Sequence, residues 1–296
     1  MIKKGKYKKP VSVSEGITET GTPDMKYYAF DWDDNIMYMP TKIILKTEDG
    51  EEVGMSTEDF AHYRSKIGKE DFKYEGNIIV GFGETPFKNF NVQGDKKFII
   101  DSMTAPTGPA WSDFVEAINN GSIFAIITAR GHTPTVLREA CYNLIVSNRD
   151  GISFTELVKN LEKYRDIAGY QGTQDKLQII NEYLDLCRFY PVSYGEGSAT
   201  SPEEGKIKAM KEFISYIKEM SNEIGKKAFL KNDVSNNFIP EPTLGFSDDD
   251  IRNVETMKKH FENEPENILQ TYSTAGGIKR KYWKNKLDNI YHKKIN

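Results

Sequence analysis

Three apolar runs that end in polar residues decide the fold: KYYAFDWDDN at 26–35, SIFAIITARG at 122–131 and TLGFSDDD at 243–250. The second run is apolar on both faces, which favours a strand in the middle of a parallel sheet covered by helices. Helical patterns separate the runs, and the clearest is at 201–220. Alternating strands and helices predict an α/β fold, a doubly wound sandwich of three layers around a mostly parallel sheet. In such folds, ligands bind at the carboxyl ends of the strands.

The composition is that of a globular protein. The chain has 296 residues, of which 38% are hydrophobic and 28% charged. No run approaches the roughly 18 apolar residues that a membrane span needs, and the first residues lack the apolar segment of a secretory signal. We therefore expect no membrane association and a cytoplasmic protein. Cys141 and Cys187 lie in apolar helical patterns, which predicts buried thiols and excludes a disulfide framework.

The charge is unevenly distributed. The net charge is -4, but residues 1–10 carry +5 and residues 279–296 carry +6, so the sequence between them is strongly acidic. Basic ends can bind nucleic acid, but short lysine-rich ends are more often solvated tails. Tyr282 and Trp283, in the basic C-terminal end, could stack on bases, although an apolar anchor is the favoured interpretation of Trp283.

Breakers and periodicity divide the chain into five parts. A hairpin signal around residues 48–50 falls in the first of two long insertions, and KFIID at 97–101 is predicted to be a strand. Both insertions are long enough to cover the carboxyl ends of the strands. The predicted parts are a basic extended arm (1–24), a core (25–40, 98–147 and 190–262), a cap insertion with a hairpin (41–97), a helical insertion (148–189) and a basic C-terminal extension (263–296).

The strand ends carry oxygen ligands. Asp31 and Asp33 follow the first strand, Thr128 ends the second, and Asp248 and Asp249 follow the third. If the strands are neighbours, these carboxylates converge and require a cation, and hard oxygen ligands favour Mg²⁺. The neighbouring Asp250 is predicted to be a helix N-cap, and Trp32 is predicted to serve packing.

The ordered set of FDWDDN, IITARG, a lysine on a helix and GFSDDDIRNV resembles the four motifs of the haloacid dehalogenase superfamily of phosphotransferases. The resemblance covers about half of the chain. It implies a Mg²⁺-dependent phosphatase that acts on a phosphomonoester through an aspartyl-phosphate. The sequence departs from the family pattern where Asp34 and Asn35 follow Asp33, which leaves the subfamily open.

The resemblance also implies roles for individual residues. Asp31 would be the nucleophile, and Asp33 would donate a proton to the leaving group and later activate water. Thr128 and Lys206 would hold phosphoryl oxygens. The implied Mg²⁺ ligands are Asp31, the backbone carbonyl of Asp33, and Asp248 or Asp249.

Choosing the lysine requires an argument from the helix face. Positions 206, 210, 213, 217 and 220 share one face and read Lys, Met, Phe, Ile and Met, so Lys206 begins a buried stripe. Lys208 and Lys211 lie on the solvent face. Lys206 is therefore preferred over these two and over Lys176 and Lys231.

Arg130 and His132 follow Thr128 closely and are candidate substrate contacts, although a histidine satisfied within its loop is the favoured interpretation of His132. With the basic ends, these two side chains would suit a nucleotide or a phosphorylated nucleic-acid end; sugar phosphates and other small metabolites are the competing substrates. The alternative to an enzyme is a non-catalytic binding or structural protein with the same fold.

Overall fold

The computed structural model describes residues 26–69, 71–167, 175–195, 201–232, 242–264 and 268–284. The predicted arm at 1–24 and the last basic residues therefore lie outside the described part. In that part, no helix combines the length and the apolar character needed to cross a membrane. The strands and helices of the described residues are, in chain order, β1 (Lys26–Phe30), β2 (Ile43–Thr47), β3 (Glu52–Met55), α1 (Thr57–Tyr63), β4 (Lys73–Tyr74), β5 (Asn77–Phe82), α2 (Asp95–Thr104), α3 (Trp111–Asn119), β6 (Phe124–Thr128), α4 (Pro134–Val146), α5 (Phe154–Ile167), α6 (Lys176–Leu186), β7 (Arg188–Pro191), α7 (Pro202–Asn232), β8 (Thr243–Asp248), α8 (Ile251–Phe261), β9 (Leu269–Ser273) and β10 (Arg280–Lys284).

The central sheet has six strands in the order β10-β9-β8-β1-β6-β7. All neighbouring strands are parallel except β10, which pairs antiparallel with β9. The chain winds from β1 to β6 and β7 on one side, and then to β8 and β9 on the other. A crevice at the carboxyl ends of β1 and β8 is therefore expected, because the winding reverses direction there.

Helices cover both faces of this sheet. Tyr28 and Phe30 of β1 belong to one buried cluster, which includes apolar side chains of α3, α4, α5 and α6. Their neighbours Tyr27 and Ala29 belong to a second cluster, with side chains of α7 and α8. Alternate residues of a strand point to opposite faces, so a strand buried on both sides must be apolar throughout. The structure confirms the α/β sandwich with a mostly parallel sheet.

The first insertion forms a sheet of its own. Strands β2 and β3 make the predicted hairpin and are joined by β5 and β4 in the order β3-β2-β5-β4. A small core of Ile43, Leu45, Met55 and Ile79 holds this sheet and α1 together. The insertion contacts the rest of the chain at α8, where Arg252 Nη2 donates to the Ala61 carbonyl oxygen over 2.7 Å.

Three sequence expectations differ from the structure. KFIID is part of α2 and not a strand, and its buried residues Phe98, Asp101 and Ser102 follow helical spacing. The described helices of 148–189 do not cover the strand ends, because their apolar residues pack into the sheet's core. The extension at 263–296 is not only a tail, since it supplies β9 and β10.

Candidate functional site

The site begins where β1 and β8 end side by side. The backbone N–H of Asp31 donates to the Ser247 carbonyl oxygen over 3.0 Å, which continues the strand pairing to the last residue before the polar turn. Asp34 lies in the left-handed region with φ 52°, a conformation that Asp tolerates better than most residues. Two hydrogen bonds close this turn, because the Ile36 and Met37 N–H groups both donate to the Trp32 carbonyl oxygen.

Asn35 ties three parts of the chain together. Its Nδ2 lies 3.0 Å from the Asp31 carbonyl oxygen, 3.1 Å from the Ser247 carbonyl oxygen and 3.0 Å from Ser247 Oγ. Its Oδ1 accepts from Thr274 Oγ1, after β9, over 2.8 Å. The side chain is fully buried, so it fixes the relative positions of the strand ends that carry the carboxylates. Sequence reasoning took Asn35 only as a departure from a motif.

Three carboxylates converge at this edge. Asp31, Asp248 and Asp249 each offer one oxygen, and the three oxygens lie within 4.8 Å of one another. Asp248 is held on both oxygens: Oδ2 accepts from Lys206, and Oδ1 accepts from the Asp250 N–H and from Asn253 Nδ2. Asp250 is the N-cap of α8, as predicted.

Lys206 is the cation of this cluster. Its Nζ lies 3.0 Å from Asp31 Oδ1 and 2.7 Å from Asp248 Oδ2, and the residue is 1% exposed. The sequence prediction placed it correctly, at the start of the buried face of α7. Ser201 caps this helix by accepting from the Glu204 N–H over 3.2 Å.

The carboxylates carry more negative charge than Lys206 can balance. Burial and the charges of Asp248 and Asp33 raise the pKa of Asp31 to about 7, although Lys206 opposes the shift. Burial and the charges of Asp248 and Asp31 also raise the pKa of Asp249 well above its usual range. Burial alone would lower the pKa of Lys206, but the two carboxylates beside it raise it.

These residues fit a metal ion. Asp31 Oδ1 is buried, and its 3.0 Å contact with Lys206 Nζ is an ion pair that lacks hydrogen-bond geometry. Three converging carboxylates against one ammonium leave a deficit of positive charge that a divalent cation would correct. Oxygen ligands favour a hard cation. Asp31, Asp248 and Asp249 could therefore hold a metal ion.

Asp33 is not part of this cluster. Its carboxylate forms a two-point ion pair with Arg130, whose Nε lies 2.8 Å from Oδ2 and whose Nη2 lies 2.7 Å from Oδ1. Nη2 also donates to Thr41 Oγ1 over 3.0 Å. The Arg130 guanidinium is 4.7 Å from the centroid of the Phe90 ring. Arg130 lines the pocket, and each of its three guanidinium nitrogens already has a partner, so its contact with substrate stays a prediction.

His132 lies behind Arg130 and does not reach the pocket. Arg130 Nη1 lies 3.1 Å from His132 Nε2, and because a guanidinium only donates, Nε2 accepts. The ring proton is therefore on Nδ1, which donates to Asp95 Oδ1 over 2.8 Å. Burial and the charge of Arg130 lower the pKa of His132, although Asp95 opposes the shift. His132 is thus satisfied by its neighbours, which is the interpretation that the sequence favoured over a substrate contact.

A pocket of about 540 Å³ opens over the carboxylates. Six of the eight predicted site residues line it together, so the structure brings them to one cavity: Asp31, Asp33, Thr128, Arg130, Lys206 and Asp249. Thr128 Oγ1 accepts from the Arg130 N–H over 3.3 Å. The first insertion supplies one side of the wall, with Ile43, Thr57, Phe60, Ala61, Arg64, Phe87, Phe90 and Asn91.

Sequence reasoning missed the aromatic part of this wall. No local spacing in the sequence predicts this wall, since the rings of Phe60 and Phe87 meet only when the loop after β5 folds against α1. The loop is tied to the central sheet because the Gly131 N–H donates to the Phe90 carbonyl oxygen over 2.7 Å. A Cβ at position 131 would lie 2.9 Å from the Ser193 carbonyl oxygen, so the close approach of residue 131 to Ser193 requires glycine.

The described part of the basic C-terminal end packs on the protein. Lys279 Nζ lies 2.6 Å from Asp113 Oδ2 and 4.5 Å from the centroid of the Tyr272 ring. Trp283 packs against one of the core clusters, which confirms it as an apolar anchor. Tyr282 donates to Glu255 Oε1 over 3.1 Å. Lys3 to Lys9, at the other end, lie outside the described residues.

Comparison of the chain with models of protein families, with curated proteins and with solved structures finds no match.

Proposed function

We propose that this protein is a Mg²⁺-dependent phosphomonoester hydrolase of the haloacid dehalogenase type. The observation that supports this most strongly is the position of Asp31. Its carboxylate lies at the end of the central strand, faces the pocket, and is flanked by Lys206 and by the two other carboxylates. The ordered motifs supply the same residues independently.

The proposed reaction has two steps. An oxygen of Asp31 attacks phosphorus, the P–O bond to the leaving group breaks, and the leaving oxygen takes a proton from Asp33. Water then attacks phosphorus, the bond between phosphorus and Asp31 breaks, and Asp33 takes the proton from water. Thr128 and Lys206 orient the phosphoryl oxygens and balance their charge.

Asp31, Asp248 and Asp249 would hold the metal ion. A bound Mg²⁺ would offset the repulsion between these carboxylates and the dianionic phosphate, and would polarise the phosphoryl group. Lys206 would remain necessary beside it, because it compensates Asp248 in the buried part of the site. The metal and the lysine therefore have separate roles.

The ion pair between Asp33 and Arg130 constrains the proton transfer. Each oxygen of Asp33 accepts a hydrogen bond from Arg130, so at least one of these bonds must break before Asp33 can exchange a proton with substrate. If both hydrogen bonds from Arg130 persist with substrate bound, Asp33 has a structural role and transfers no proton. This pair is the one observation that favours the second candidate function, a cation-binding protein without catalysis.

The test is hydrolysis of p-nitrophenyl phosphate by the full-length chain with Mg²⁺ and with EDTA. We expect turnover that requires Mg²⁺ and falls at least about a thousandfold in Asp31→Asn, the scale of losing a nucleophile. Lys208→Met, a change on the solvent face of α7, is the matched control. Activity that survives both EDTA and Asp31→Asn would refute the mechanism. Mg²⁺ binding without turnover of any phosphomonoester, and with Asp33→Asn binding Mg²⁺ as wild type does, would favour the second candidate.

A further inference from the structure

The wall that the first insertion gives to the pocket is aromatic. Phe60 of α1 and two phenylalanines from the loop after β5, Phe87 and Phe90, line the cavity. The centroids of the Phe60 and Phe87 rings are 5.7 Å apart, and those of Phe87 and Phe90 are 6.2 Å apart. The rings thus form a continuous row that ends beside Arg130, the partner of Asp33.

Phe87 has no role in the core of the insertion. It is 41% exposed, and it is absent from the buried cluster of Ile43, Leu45, Met55 and Ile79, against which Phe60 and Phe90 pack. When a ligand covers a large apolar side chain that is exposed inside a pocket, apolar area is removed from water, and this favours binding. The ring is therefore available to a bound molecule.

Two arginines that line the pocket beside this wall are already engaged. Arg64 pairs with Glu203, and Arg252 donates to Asp250 and to a backbone carbonyl of α1. A leaving group with many hydroxyls would lose hydrogen bonds to water here and find few replacements. A planar apolar ring loses no hydrogen bonds to water, and it gains contact with the exposed ring of Phe87.

We propose that the pocket selects phosphomonoesters whose leaving group carries a planar aromatic ring, which packs against Phe60 and Phe87 while the phosphate lies over Asp31. The position of the phosphate in this inference rests on the proposed function. The position of the aromatic ring rests only on the side chains of the first insertion. Aryl phosphates and nucleotides share this chemistry, and polyhydroxylated sugar phosphates do not.

Phosphonates cannot be hydrolysed, so their binding tests recognition of the aromatic ring separately from catalysis. Calorimetry of the full-length chain with Mg²⁺ would compare benzylphosphonate with methylphosphonate. We expect the aromatic compound to bind about tenfold more tightly. Phe87→Ala and Phe87→Leu should reduce this advantage about threefold or more and leave methylphosphonate affinity unchanged. Ile78→Ala, at a residue of β5 that is 37% exposed and outside the pocket lining, is the matched control.

Equal affinities for the two phosphonates, undetectable binding of benzylphosphonate, or an equal loss of both affinities in the Phe87 variants would overturn the inference. A parallel assay would measure hydrolysis of phenethyl phosphate, adenosine 5′-phosphate and glucose 6-phosphate. If the advantage of benzylphosphonate persists without turnover of any ester, only the hydrolase proposal fails. If glucose 6-phosphate is turned over as efficiently as both aromatic esters, only the aromatic inference fails.

Discussion

Replacing Lys206 with Met should destabilise the metal-free protein in a way that depends on pH. The substitution keeps an unbranched apolar side chain but removes the charge that lies 3.0 Å from Asp31 and 2.7 Å from Asp248. Breaking a buried ion pair by removing one partner costs about 3–5 kcal/mol, because the remaining charge is left uncompensated. We expect a loss of this size in the free energy of unfolding at pH 8 in EDTA.

The sign of the pH dependence follows from the pKa of Asp31, which burial raises from 3.8 to about 7 in the folded protein. A carboxyl whose pKa is raised by folding stabilises the folded state fully below its unfolded pKa, and this contribution is lost as the pH rises through the folded pKa. Removing Lys206 raises the folded pKa further. The cost of Lys206→Met should therefore be smaller at pH 5.5 than at pH 8.

Urea unfolding in EDTA at the two pH values measures this difference. Lys208→Met, at an exposed position of the same helix, should change the free energy of unfolding by less than about 0.5 kcal/mol, as is usual for a surface substitution. A cost below about 1 kcal/mol for Lys206→Met at pH 8, or an equal cost at both pH values, would refute the reasoning. Either result would mean that Lys206 does not compensate buried, ionised carboxylates.

Three further predictions concern the same edge of the sheet. Mg²⁺ should raise the melting temperature more at pH 7.5 than at pH 5.5, because Asp31 must lose its proton to bind the ion, and Asp249→Asn should remove most of this gain; equal gains in calorimetry at both pH values would contradict the site. Asn35→Leu should destabilise the protein by about 2 kcal/mol or more, since it leaves the buried partners of the Asn35 amide without a hydrogen bond; a cost near zero in urea unfolding would exclude the role of Asn35 in holding the strand ends together. Arg130→Met should cost about 3–5 kcal/mol, and adding Asp33→Asn should recover part of it, whereas simple additivity in the double-mutant cycle would rule out the ion pair.

The fold was accessible from sequence because its central strands are apolar on both faces. The run ending at Thr128 is buried along its whole length as β6. The runs before Asp31 and Asp248 form β1 and β8 of the same sheet, in the order β8-β1-β6. The short run at 97–101 was misread as a strand, because five residues are too few to separate the two periodicities. The buried residues of α2, Phe98, Asp101 and Ser102, have the i, i+3, i+4 spacing of a helix.

The carboxylate cluster was accessible for a related reason. Carboxyl ends of parallel strands meet at one edge, so Asp31 and Asp248 had to converge once their strands were neighbours. Lys206 could be placed because it begins an apolar stripe on its helix. Both inferences depend on regular geometry, which sequence patterns report directly.

The partners of Asp33 could not be foreseen in the same way. Arg130 is 97 residues away in the chain, and nothing local distinguishes an arginine that binds substrate from one that binds a carboxylate. The aromatic wall had the same difficulty, since Phe87 and Phe60 meet through the fold of an irregular loop. Contacts of this kind depend on tertiary packing and not on periodicity.

The most direct test of the proposed mechanism is to trap the aspartyl-phosphate. Borohydride added during turnover reduces an acyl phosphate to an alcohol, so a phosphorylated Asp31 would become homoserine, which peptide mass spectrometry identifies. The mechanism predicts homoserine at position 31 only when substrate and Mg²⁺ are both present, and none in Asp31→Asn. Sustained phosphate release with no homoserine at position 31, or with the modification at another carboxylate, would contradict it.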